Sequence, residues 1–429
     1  MSKECYIGFK NKQNNQSLFG IKTDNRRRHM YIVGKTGMGK TTLLNNMILQ
    51  DIYNGLGVCF IDPHGDSCEY ILDRIPAHRH QDVIYFNPAD LEFPIGLNIL
   101  EPQRNEENYL ITSSLIGVFN KIWAGTWSAR MEYILSNTLL TLLEKPNSTL
   151  LGVIKLLTDE KYRKQLTNDI KDPLVKNFWQ LEFAKFNSKY RQEAISPILN
   201  KIGQFFSSEL IRNILGQPKS TIDLRQIMDE QKILIVNLSK GRLGEENSNL
   251  LGSLLVSKLQ VATMSRVDIP EEKRKDFYLY VDEFQNFTTD SFAGILSEAR
   301  KYRLNLILAH QYIDQLTENG SSVIKNAVFG NVGTVIGFRV GSNDGTFLSQ
   351  EFGSKVTANE LINLDKAKIA IKLDLDYDNQ DPFLAYTLSP LFDKLSGNRT
   401  RVIKSSRQNY TIPRAEAVKQ IAQYLEEEK

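Results

Sequence analysis

Short apolar runs, each closed by a polar turn, alternate with segments whose apolar residues recur at helical spacing. Met30-Tyr31-Ile32-Val33 is the first such run, and a glycine-rich turn and a helix from Thr41 to Asn54 follow it. Gly57-Val58-Cys59-Phe60-Ile61, stopped by Asp62-Pro63, and Asp82-Val83-Ile84-Tyr85-Phe86 repeat the pattern. Strands that are apolar throughout and alternate with helices predict an α/β fold whose mainly parallel sheet is covered on both faces. From Pro102 to Arg225 the strand runs stop. Ile134, Leu135, Leu139, Leu142 and Leu143, and later Ile198, Leu199 and Ile202, fall at helical spacing. This is the pattern of an inserted all-helical domain.

The strand pattern then resumes with Ile233-Leu234-Ile235-Val236, Phe277-Tyr278-Leu279-Tyr280-Val281 and Leu304-Asn305-Leu306-Ile307-Leu308-Ala309. Thr334 to Phe338 and Lys368 to Lys372 are further strands of the same kind. Residues 374–381 are polar, and 396–410 are basic and poor in apolar residues, so both read as linkers. A final helix starts at about Pro413 and frays at Glu426-Glu427-Glu428, where acidic residues meet the negative end of the helix dipole. The expected division is 1–101 and 226–395 for two parts of one α/β domain. The insertion takes 102–225, and 396–429 forms a C-terminal basic segment and helix.

Gly34-Lys35-Thr36-Gly37-Met38-Gly39-Lys40-Thr41 matches G-x-x-x-x-G-K-[ST] in full, between a strand and a helix. Glycines let backbone N–H groups curl around phosphate oxygens, and the helix N-terminus adds positive potential. Lys40 can bridge the β- and γ-phosphates, and Thr41 offers a hydroxyl to Mg²⁺. Asp282-Glu283, directly after an apolar strand, is the matching carboxylate pair. Asp282 orders Mg²⁺ through water, and Glu283 polarises the attacking water. Gln311 follows His310 at the end of another buried strand, where it can sense the γ-phosphate and pass its loss to the rest of the subunit.

Asp62-Pro63-His64-Gly65-Asp66 fits D-x-x-G, but no N-K-x-D guanine-reading motif occurs. Cys59, His64, Asp66 and Cys68 match no zinc spacing, so a phosphate-side loop is the better reading. Multi-subunit ATPases complete such a site with a neighbour's arginine. Arg339, which closes the strand Thr334 to Phe338, is the first candidate; Arg300 and Arg303 are the alternatives.

At 429 residues, with 41% hydrophobic and 24% charged, the chain holds enough apolar material for more than one core. Three cysteines cannot form a disulfide framework and point to a reducing compartment. No signal peptide and no membrane span are apparent, which implies a cytoplasmic protein. The net charge of +3 is uninformative until divided. Pro102 to Arg225 carries 17 basic and 12 acidic residues, a net of +5, leaving −2 for the rest. Lys161, Arg163, Lys164, Lys185, Lys189 and Arg191 are interleaved with Tyr162, Phe178, Trp179, Phe183, Phe186 and Tyr190. That mixture suits a nucleic-acid surface, or equally a solvated helix face over an aromatic core.

Gly34 to Thr42, Asp62 to Asp66, Tyr280 to Gln285 and Leu308-Ala309-His310-Gln311 together resemble the FtsK–HerA superfamily of ring-forming DNA-pumping ATPases. They are most similar to the type IV secretion coupling proteins. Ser297 to Arg303, Leu238 to Gly244 and Ser405-Ser406-Arg407 add to the likeness. The resemblance implies a RecA-like motor domain using ATP and Mg²⁺, with phosphate-loop contacts from Gly34 to Thr42. It also implies a homo-hexameric ring around DNA, and conjugative DNA transfer with a relaxase or secretion-system proteins as partners. Coupling proteins usually begin with a membrane anchor that this sequence does not show, so partners would hold it at the inner membrane. A nucleotide-gated adaptor, and a HerA-like motor for phage defence or DNA packaging, are the rival expectations.

Overall fold

The computed structural model describes residues 4–12, 15–102, 108–289, 292–317, 321–373, 380–392 and 397–426. The expected polar linker 374–381 and the acidic end of the last helix lie largely outside them. The described chain divides into two compact units, each assembled from three segments.

The first unit takes Met1–Phe86, Arg225–Ser239 and Arg266–Ser406. Its strands are β1 (Glu4–Lys12), β2 (Asn15–Lys22), β3 (Met30–Val33), β4 (Gly57–Asp62), β5 (Val83–Phe86), β6 (Ile233–Asn237), β7 (Phe277–Val281), β8 (Leu304–His310), β9 (Thr334–Gly337), β10 (Lys368–Leu373) and β11 (Gln380–Thr387). They form one sheet in the order β2-β1-β11-β10-β9-β3-β8-β7-β4-β6-β5. The stretch from β9 to β5 is parallel, and β10, β11, β1 and β2 extend it in antiparallel fashion. The central strands are buried along their whole length, as their unbroken apolar sequences require. Helix Lys40–Tyr53 packs Leu43, Leu44, Met47, Ile48 and Ile52 into the core beside Ile32 and Phe60. Each such side chain contributes about 1.5–3 kcal/mol by leaving water.

Register brings the chemistry to one edge. Val33 lies opposite His310 and Gly337, and Ile61 lies opposite Val281. The residues that follow, Gly34, Gln311, Phe338, Asp62 and Asp282, therefore emerge together at the carboxyl ends of the parallel strands. The helix behind this edge is tied down by a buried ion pair. Arg26 donates to both carboxylate oxygens of Asp51 at 2.7 Å, and Tyr280 of β7 donates to Asp51 at 2.5 Å. Arg26 and Asp51 are 2% and 1% exposed, so neither charge has water to fall back on.

One segment carries no clear signal in the sequence, and another differs from expectation. The polar N-terminal residues form the β1–β2 hairpin, which buries Cys5, Ile7, Gly8 and Ile21. A strand with one buried face and a register shift between Tyr6 and Gly8 leaves a short alternation, not an apolar run. The expected linker 396–410 contains a helix, Arg399–Tyr410. Its buried positions are Val402 and Ser406, and Ser406 accepts a hydrogen bond from the β5 backbone at Tyr85. Two inward positions one turn apart give a stripe too narrow to stand out in a basic sequence.

The second unit takes Asn87–Leu224, Lys240–Ser265 and Arg407–Lys429. It is helical, with Asn108–Ile122, Ala129–Leu143, Ser188–Ser207, Glu245–Met264 and Arg414–Glu426 as its long elements. Ser128 and Asp159 cap the helices that follow them, accepting from Met131 and from Lys161 and Tyr162. Phe178, Trp179 and Phe183 are buried against one another, and the Trp179 indole donates to Thr141 at 2.7 Å. The mixed basic and aromatic segment is thus partly core. Arg163 is 8% exposed and donates to the carbonyls of Leu156 and Leu157, and Lys164 pairs with Glu160 at 2.8 Å. Lys161, Lys185 and Lys189 are exposed. No helix among the described residues is long and apolar enough to cross a membrane.

Candidate nucleotide site

The loop from Gly34 to Gly39 joins β3 to the helix Lys40–Tyr53. Gly39, at φ +119°, occupies left-handed backbone that other residues rarely adopt, and it turns the chain into the helix. Gly34 packs so closely that a Cβ there would sit 2.5 Å from Cβ of Phe338. The loop is held from both sides. Lys35 N–H donates to the Arg339 carbonyl at 2.8 Å, and Ala367 N–H donates to the Met38 carbonyl at 2.9 Å. Lys35, Thr36 and Gly37 are exposed, as is Thr41 in the first turn of the helix; Thr42 is half-buried.

Lys40 is 7% exposed and curls over the loop, donating to the carbonyls of Gly34 and Lys35. Burial lowers its pKa, and the Glu283 and Asp282 carboxylates oppose that shift. Asp282, at the end of β7, accepts from Glu283 N–H at 3.0 Å. Burial pushes its carboxyl up to about 7, with the Glu283 and Asp62 carboxylates adding to the rise and Lys40 opposing it. A buried acid beside two further carboxylates is a place where a divalent cation would offset their mutual repulsion.

Glu283 is 7% exposed and sits at φ +46°, in left-handed backbone. Its Oε1 accepts from Gln311 Nε2 at 2.8 Å and its Oε2 from Gln285 Nε2 at 2.9 Å. The structure therefore brings Lys40, Asp282, Glu283 and Gln311 to one edge, with β8 lying between β3 and β7. His310 is buried with its ring Nε2 2.5 Å from the Tyr31 hydroxyl. Burial, aided by the Lys40 charge, lowers its pKa to about 3, so it is neutral at ordinary pH and serves packing.

Asp62 accepts from the N–H groups of His64, Ser67 and Cys68, which starts the helix Asp66–Leu72. The Asp62-to-Asp66 loop is thus built by its own first residue. Cys59 and Cys68 are buried in the core. Arg339 is half-buried two residues past β9, and its backbone lies against the phosphate loop of its own chain. Arg300 and Arg303 precede β8, at the opposite edge of the sheet, roughly 20 Å away along a seven-residue strand. An open cleft of about 330 Å³ beside Lys35 and Gln311 is lined also by Tyr312, Ser342 and Asp344. The sequence marks Gln285 only as the end of the stretch Tyr280 to Gln285, two residues after Glu283, and assigns it no role.

Residues 17–367 match the profile of the type IV secretion-system coupling protein DNA-binding domain. The chain belongs to this family. Among its relatives is the type 4 coupling protein DotL of Legionella pneumophila, 21% identical over 352 residues that cover 67% of this chain. The match spans 44% of DotL, so the chain accounts for less than half of that relative's length. Among solved structures, the plasmid coupling protein TrwB in complex with ADP and Mg²⁺ aligns with a TM-score of 0.64 at 16% identity, covering 88% of this chain and 90% of that one. VirB4 of Thermoanaerobacter pseudethanolicus aligns at 0.60 with 12% identity, covering 89% and 96%. At these identities the likeness is one of fold: an α/β, RecA-like P-loop domain with a helical insertion, which is the architecture the sequence predicts.

Proposed function

We propose that this coupling-family chain is an ATP- and Mg²⁺-dependent ATPase that moves DNA through a homo-oligomeric ring of six, serving conjugative transfer or secretion at the inner membrane. Lys40 and the amides of Gly34 to Thr42 bind the phosphates. Thr41 and Asp282 hold Mg²⁺, which would neutralise charge on the transferring phosphoryl group. Glu283 takes a proton from the attacking water. Gln311 couples the state of the site to the sheet, and Arg339 of a neighbouring subunit supplies positive charge.

The observation that carries this reading is the hydrogen bond from Gln311 to Glu283 at 2.8 Å, which ties the strand beside the phosphate loop to the hydrolytic carboxylate. ATP turnover with and without linear DNA tests it, together with displacement of a bound third strand from duplex DNA. The motor reading requires DNA-stimulated turnover and strand displacement. Q311A should lose displacement out of proportion to its loss of turnover, and equal loss of both would remove the coupling role.

A second reading is a nucleotide-gated adaptor that recruits a relaxase or another secreted protein. It is favoured by apolar side chains on the helical unit, where Leu174 is 76% and Leu181 54% exposed. Turnover stimulated by a protein partner alone, with no response to DNA, would select it.

A further inference from the structure

Glu283 reverses the chain in left-handed backbone, a conformation that a non-glycine residue rarely adopts. Its carbonyl accepts from Asn286 N–H at 3.0 Å, closing the short turn Phe284–Asn286. Phe284 anchors that turn, with its ring 5.0 Å from His310 of β8 and 6.4 Å from Tyr31 of β3. The reversed and anchored turn sends the half-buried Gln285 side chain back onto Glu283 Oε2 at 2.9 Å. Gln311 reaches Oε1 from a different element. The terminal torsion of a glutamate is broad, so one donor alone leaves the carboxylate plane loosely set. Donors on both oxygens fix it. A carboxylate has about four acceptor sites, so two amides still leave room for a water.

We propose that Gln285 is a positioning residue for hydrolysis: its amide orients the Glu283 carboxylate jointly with Gln311. This rests on the reading that Glu283 acts on the attacking water. The test measures kcat, KM and affinity for a non-hydrolysable ATP analogue in the full chain carrying Q285M, E283Q or both. Q285M keeps the side-chain length and removes the donor. It should lower kcat on the order of tenfold to a hundredfold, as misplacement of a reacting group does, and leave KM and analogue affinity unchanged. Added to E283Q, it should change nothing further, because the two act as one unit. Q285N, whose amide stops one methylene short, should give the same pattern if Q285M melts early. Wild-type kcat in Q285M beside an inactive E283Q overturns the role of Gln285 and leaves Glu283 standing. A raised KM, or a loss that adds in full to that of E283Q, overturns it in favour of a merely structural part. Normal turnover by E283Q removes the reading of Glu283 itself, and this inference with it.

Discussion

Gln311 Nε2 donates to Glu283 Oε1 at 2.8 Å, joining the residues that follow two neighbouring parallel strands, β8 and β7. The bond places a side chain that can respond to a phosphate in direct contact with the carboxylate proposed to activate water. Any change that draws Gln311 away alters the setting of Glu283 at the same moment.

The division of labour at the site gives the first prediction. K40A should weaken nucleotide binding, because it removes the cation buried over the loop. E283Q should bind ATP nearly as well as the wild type and retain it, with turnover lower by on the order of 10²–10⁴. Equilibrium binding of a labelled nucleotide and steady-state hydrolysis separate the two effects.

The titration of Asp282 gives the second. Its pKa is raised in the folded chain to about 7 from an ordinary 3.8. The folded state therefore binds the proton more tightly than the unfolded state, and stability falls as pH rises between these values, then levels. Without nucleotide, D282N should melt above the wild type at pH 8, by an amount worth on the order of a few kcal/mol. At pH 4 the difference should nearly vanish. Thermal melts across pH 4–8 decide, and a gap that does not shrink toward acid removes Asp282 from that role.

The buried Arg26–Asp51 pair gives the third. R26M leaves the Asp51 charge uncompensated and should destabilise the chain by about 3–5 kcal/mol. R26M combined with D51L should recover much of that loss, since neither charge is then buried. Denaturant titration of R26M, D51L and the double variant checks the coupling.

The arginine question is settled by mixing. R339A and E283Q proteins should each be inactive, with Arg339 loss costing on the order of 10³ or more. Mixed rings should regain part of the activity, because some interfaces combine an intact Glu283 with an intact Arg339. The Arg339 backbone contacts its own phosphate loop, so failure to complement would mark it as acting within its own subunit. Complementation by R300A or R303A would move the finger to the other edge of the sheet.

DNA affinity gives the last prediction. Lys161, Lys185 and Lys189 are among the exposed members of the basic segment, and reversing them to Glu should weaken DNA binding while sparing basal hydrolysis. The slope of log affinity against log salt should become shallower by about 0.9 for each phosphate of duplex DNA that a lysine no longer neutralises. Arg163 is unsuitable for this test, because it is buried against the Leu156 and Leu157 carbonyls and its reversal would disturb folding.

The sequence by itself determined the elements whose signal is local. An apolar strand, a glycine loop and a helix can be read at Met30 to Asn54 because backbone freedom and periodicity are properties of neighbouring residues. The strand-borne Asp282-Glu283 and the strand before Gln311 were legible for the same reason. Tertiary structure decided what depends on partners distant in the chain. The β1 and β2 strands exist because β11 pairs with β1 and β1 with β2, and their half-buried alternation is too short to show on its own. Arg163 and Lys161 look alike in sequence, yet one folds onto helix carbonyls and the other faces water. Arg26 reads as one of three basic residues, yet it is the one that neutralises Asp51 in the core. The link between Gln285, Glu283 and Gln311 follows from a left-handed residue and from strand order, neither of which a single sequence states. Local preference acts through adjacent residues; burial, charge pairing and the meeting of strand ends act through space.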